Sequence, residues 1–229
     1  MRTDRRRHIG SALVAASLSL AASMLLTGCV TPIPLAQEAP DLSFKSTRPL
    51  VVAVTDERKY LAEGKPPTFI GRAHGVFGVP SDMQVYPWFV SDKAKKDQTL
   101  AQAIEDRIVV GLGDEGWNLS GATRAARPAA EQAAALLAQH KAQLLVDLAL
   151  TDWFVSVNLN WVGAFNFDWG YRVEVLDDKG NVVTTFADSG RDVVDMKADE
   201  SPQNMIKMAF RERLIKILER PELKTVLAD

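Results

Sequence analysis

The chain has 229 residues, with 27 basic against 29 acidic side chains and a formal charge of −2. That length is ample for one domain with its own core, and the absence of any Lys/Arg cluster after Arg7 excludes a nucleic-acid surface built on basic patches. A single cysteine excludes an internal disulfide and a paired-thiol redox site.

Residues 1–28 have the form of a signal peptide. Arg2, Arg5, Arg6 and Arg7 precede an uncharged stretch from Ile9 to Leu26 rich in Ala, Leu and Ser, and small residues follow. Those 18 residues reach the lower limit for a membrane-spanning helix, but the serines and the Leu26-Thr27-Gly28-Cys29 ending favour cleavage. This ending resembles the lipobox of bacterial lipoproteins, in which the cysteine is acylated and the peptide is cut just before it. The resemblance implies cleavage between Gly28 and Cys29, lipidation of Cys29 and, with Val30 in place of an Asp, attachment to the periplasmic face of the outer membrane. Two or more acyl chains hold a protein stably at a bilayer, so such an anchor needs no help from the folded part. Cleavage removes four arginines and one aspartate, leaving 23 basic and 28 acidic side chains, a charge near −5.

Residues 29–47, with Pro32, Pro34 and Pro40 and no period, read as a flexible tether, and residues 48–229 as one globular periplasmic domain. Pro49 to Thr55 holds the continuous apolar run Leu50-Val51-Val52-Ala53-Val54, the pattern of a central strand buried on both faces. Leu61 to Lys96 is a long loop rich in Gly and Pro, with Phe69, Phe77, Tyr86, Trp88 and Phe89. Asp97 to Leu112 is helical, with Leu100, Ile104, Ile108 and Leu112 on one face. A short strand is expected near Trp117 to Leu119 and an alanine-rich helix over Pro128 to His140. Gln143 to Asn160, Ala164 to Asp177 and Val182 to Ser189 form an antiparallel meander. In its first strand the apolar parity switches from Leu144, Val146, Leu148 and Leu150 to Trp153, Val155 and Val157, which requires a bulge near Thr151-Asp152. Ser201 to Leu218 closes the chain as an amphipathic helix with a Ser cap and Pro202 in its first turn.

This order gives an α+β two-layer sandwich, a mixed sheet with an antiparallel three-strand meander and helices on one face. With the lipobox, the proline-bearing tether, Val51-Val52-Ala53-Val54, a helix ending Glu115-Gly116-Trp117, Leu144-Leu145-Val146-Asp147-Leu148 and the closing helix, it resembles the YajG-type lipoproteins. The resemblance implies a small periplasmic accessory lipoprotein and supplies no catalytic residue.

The residues themselves point away from an enzyme. His74 lies in a glycine-rich loop with no Ser or carboxylate at motif spacing, so a hydrolase built on it is the least supported reading. His140 at a helix C-terminus reads as a cap. Asp188, Asp192 and Asp195 lack the spacing of a calcium loop. No cofactor and no metal is expected. Same-parity aromatics of the meander are expected inside, whereas Trp161 and Phe165 near its tip, with Phe77 and Trp88 in the long loop, are the candidate contacts for an envelope partner. The alternative is a carrier of lipid or small molecules with an aromatic-lined pocket.

Overall fold

In chain order the elements are α1 (Leu35–Glu38), β1 (Leu50–Asp56), α2 (Lys59–Ala62), β2 (Phe69–His74), β3 (Pro80–Gln84), α3 (Val85–Trp88), α4 (Leu100–Asp114), β4 (Leu119–Gly121), α5 (Ala130–His140), β5 (Leu144–Asn158), β6 (Ala164–Asp177), β7 (Val182–Asp195), α6 (Pro202–Leu218) and α7 (Pro221–Leu227). The structure is a computed structural model that describes residues 31–75, 78–159 and 163–228. Gly28, Cys29, Phe77 and Trp161 lie outside the described residues.

The spine of the α+β fold is β5, because its two halves pair with different neighbours. Leu144 to Leu150 run parallel to β1, Val155 to Asn158 run parallel to β2, and β6 lies antiparallel along the other side. Strands β3 and β4 close one side of the seven-stranded mixed sheet and β7 closes the other. The expected bulge is present, with the β5–β6 register shifting between Leu150 and Asp152. One extra residue swaps the faces, so Leu148 and Leu150 before it and Trp153 and Val155 after it point to the same core.

On that face, α4 and α6 cover the sheet. A capping box starts α4 at Thr99, whose hydroxyl accepts from Gln102 N at 3.2 Å while Gln102 Oε1 accepts from Thr99 N at 2.9 Å. This cap places the helix start three residues later than the apolar spacing suggested. Ser201 caps α6 by accepting from Asn204 N at 3.1 Å. Phe210 of α6 packs against Trp153 at 5.2 Å, Phe167 at 4.8 Å and Phe89 at 4.8 Å, and Trp153 meets Phe167 at 5.0 Å. These interlocked rings are the centre of the core.

Three expectations are corrected. The helices do not all share one face: Ala133, Leu136 and Leu137 of α5 pack on Val51, Ala53, Leu145 and Leu176, the opposite side of the sheet from Leu50, Val52 and Val54. The long loop contains the β2–β3 hairpin, which is hard to see because β2 holds a glycine and β3 is polar. Residues 33–46 are docked rather than free, with Glu38 and Ala39 buried and Pro40 against Gly111 of α4.

Gly71 is required by close approach. A Cβ there would lie 2.0 Å from the Val155 carbonyl oxygen of the neighbouring strand. Gly71→Ala is therefore expected to force β2 and β5 apart and cost about 2–4 kcal/mol, within the range of large single-site effects, read as a lowered denaturation midpoint.

Candidate functional site

Beyond the patches covered by α5 and, through Tyr60, by α2, the second face of the sheet is open. Along β5 and β6 the inward side chains Val155, Val157, Phe165 and Phe167 are buried, while Ser156, Asn158, Asn166 and Asp168 between them reach the surface. On β7, Ser189, Arg191 and Val193 continue the rows; on β2 and β3, Arg72 and Asp82 do so. Cross-strand ion pairs order the surface. Arg191 NH2 reaches Asp168 Oδ2 at 3.0 Å, Arg72 Nε reaches Asp82 at 3.4 Å, and Lys65 also contacts Asp82. The hydrogen bond that Lys65 donates holds the Asp82 carboxyl below the usual range, and the bond to Asp168 raises the Arg191 guanidinium. At the centre, Tyr60 of α2 stacks on Phe154 at 5.2 Å and its hydroxyl donates to Asp152 Oδ1 at 3.3 Å. Burial and the adjacent Asp152 push this phenol up to about 12.

Between the open rows and α5 the face closes over charge. Asp147 and Glu174 are cross-strand neighbours, 1 % and 6 % exposed. Thr55 Oγ1 stands 3.4 Å from Asp147 Oδ1, Arg127 contacts Glu174, and Arg172 bridges Glu57 at 2.9 Å and Glu174 at 3.6 Å. Burial, then the repulsion of Glu174, pushes the Asp147 carboxyl up to about 6. Among the described residues no group of His, Cys, Asp and Glu is arranged to hold a metal ion.

Of the expected contacts, Phe165 is 1 % exposed and sits in the core, because its parity on β6 is the inward one. It is therefore not a surface contact. Trp88 is half-buried and packs against the main core. The exposed apolar side chains flanking the β2–β3 and β5–β6 turns are instead Val79 at 64 % and Leu159 at 45 %. His74 pairs in the sheet between Pro80 and Asn158, and its ring has no hydrogen-bond partner among the described residues. His140 Nδ1 meets Ser120 Oγ at 2.8 Å. Asp188 and Asp192 are taken separately by Arg220 and Arg213. The aromatics of the meander fill space rather than line it. A cleft of about 230 Å³ lies elsewhere, beside the N-terminal segment, walled by Leu35, Glu38, Val90, Ser91, Gln98 and Arg107, without an aromatic ring. The open face was missed from sequence because its residues come from five strands. The only local signal was the alternation Asn166, Asp168, Arg172, Glu174 opposite the buried row.

No family model matches the chain, and no curated protein is significantly similar to it. Among solved structures, the DUF330 protein XCC0632 from Xanthomonas campestris overlaps 82% of this chain and 92% of its own, with 8% identity and a TM-score of 0.46. Lipoprotein GNA1162 from Neisseria meningitidis overlaps 75% of this chain and 99% of its own, with 13% identity and a TM-score of 0.28. The LpoB C-terminal domain from Escherichia coli overlaps 65% and 85%, with 7% identity and a TM-score of 0.27. With TM-scores below 0.5, these likenesses carry no argument about what the chain does.

Proposed function

We propose that this chain is a lipid-anchored, non-enzymatic binding component of the bacterial cell envelope, held through Cys29 at the periplasmic side of the outer membrane. The partner, a protein, is recognised by the open face of the sheet. The lipobox-like Leu26-Thr27-Gly28-Cys29 supports the anchor, and no described helix is long and apolar enough to cross a membrane. The observation that carries the binding role is the open face itself, where four strands present paired charges around the small patch that Tyr60 of α2 covers. Exposed pairs of this kind add little to stability, typically below about 1 kcal/mol, and set specificity instead.

A photo-crosslinker at Ser189 is expected to trap a protein of defined mass in intact cells. Reversing Arg72 and Arg191 to Glu is expected to abolish that capture while leaving the thermal midpoint within a few degrees. Capture that survives both reversals would remove the face from the reading. A mature chain lacking an acyl thioether at Cys29 by mass spectrometry would remove the anchor.

A further inference from the structure

Residues 33–46 run as a strap down the groove between α4 and α6, and its direction fixes where the chain enters the domain. Ile33 N donates to Asn204 Oδ1 at 3.3 Å in the first turn of α6. Glu38 pairs with Arg107 and Lys207 midway, Leu42 N donates to Glu115 Oε1 at 3.1 Å, and Phe44 meets Trp117 at 5.5 Å near the far end of α4. The strap therefore starts at the N-terminus of α6. That helix end is tied to the tips of the meander: Lys197 N stands 3.5 Å from Met205 Sδ, and Met196 N donates to the Gly163 carbonyl at 2.7 Å. Leu159 N in turn donates to the His74 carbonyl, and Gly75 N to that of Val79. The chain entrance and the described ends of the β2–β3 and β5–β6 hairpins thus share one end of the domain.

Four Cα–Cα steps, across Val30, Thr31 and Pro32, separate Cys29 from Ile33. Fully extended they span at most about 14 Å. The same end carries Val79, Leu159 and Val193, exposed by 64 %, 45 % and 66 %. The other two large exposed apolar side chains among the described residues, Val182 and Val183, lie at the opposite end beside the Asp177–Asn181 turn.

We infer that this end of the domain rests on the lipid bilayer, with Val79 and Leu159 in the interfacial region, so that the open sheet face is presented sideways along the membrane. The inference rests on the reading of Cys29 as the anchor. The strap docks too early for residues 29–47 to act as a free tether, and with the acylated residue held within about 14 Å of Ile33, exposed apolar side chains at that end of the domain gain by leaving water for the interface.

The test couples the chain from Cys29 onward, through its only thiol, to a maleimide lipid in phosphatidylethanolamine/phosphatidylglycerol nanodiscs containing a gadolinium-headgroup lipid, with Val and Leu methyls labelled for NMR. Loss of the Val79, Leu159 and Val193 methyl signals, with Val182 and Val183 retained, is the expected result. Equal loss at both ends, or loss confined to Val182 and Val183, would overturn it. So would photo-crosslinkers at Val79 and Leu159 that capture protein instead of lipid in cells. Because the coupling is chemical, a chain found unacylated in cells defeats the anchor reading without touching this geometry.

Discussion

Asp147→Asn is expected to raise the thermal midpoint at pH 7.5 by about 5–10 °C and to flatten the dependence of stability on pH. The carboxyl is 1 % exposed, and burial with the adjacent Glu174 lifts it from 3.8 to about 6 in the folded state. An acid whose folded value lies above its unfolded one binds its proton more tightly when folded. The stabilisation is complete below the unfolded value and is lost as pH rises through the folded one. The native protein should therefore gain stability as pH falls from 8 to 5. A shift of this size corresponds to about 2–3 kcal/mol, or roughly 2–4 °C per kcal/mol in a domain of this length. Glu105, also raised by burial, adds in the same direction. Asp82, Glu219 and Glu222 are lowered by their hydrogen bonds, and what they contribute is lost only in the acid range below that window. Asparagine keeps an oxygen for Thr55 and removes the charge beside Glu174. A midpoint that falls on substitution, or a native profile that rises from pH 5 to 8, contradicts this account.

What was legible in the sequence follows from how locally each feature is encoded. The meander, its bulge and the two long amphipathic helices rest on periods of 2 and 3.6, which survive any tertiary context. The β2–β3 hairpin is not encoded that way. Gly71 is there because Val155 leaves no room, and Pro80 tolerates an edge strand, so both look like loop residues until the neighbouring strand is known. The second-face helix had left a trace: a strand apolar at five consecutive positions, Leu50 to Val54, needs cover on both sides. Reading the helices onto one face ignored that requirement. The strap gave no signal, since it is held by complementary polar side chains of α4 and α6, far away in sequence. Of the candidate site, only the alternation along β6 was visible; Arg72, Asp82 and Arg191 join it only through sheet topology.

The strap also sets the second large effect. Glu38 is 4 % exposed, with Oε1 2.7 Å from Lys207 Nζ and its other oxygen on Arg107. Lys207 is fully buried and donates to Ser91 Oγ at 2.7 Å; Arg107 lies 3.6 Å over the Phe89 ring and donates to the Ala103 and Phe89 carbonyls. Burial lowers the Arg107 guanidinium, and Glu38 opposes that shift. Glu38→Ala strands two cations without their carboxylate, so a loss of about 3–5 kcal/mol is expected in chemical denaturation. Asp41→Ala, removing an exposed partner of Arg211, should cost under about 1 kcal/mol. Lys207→Met placed on Glu38→Ala removes one stranded cation and should restore part of the loss, which separates charge from packing. The pair of variants also bears on membrane position. A released strap leaves Cys29 free of the domain as far as Ser46, a contour of about 60 Å in place of about 14 Å. Gadolinium-induced loss of the Val79 and Leu159 signals should then weaken in Glu38→Ala and recover in the double variant, whereas unchanged loss in all three chains would show that the strap does not hold the domain to the bilayer.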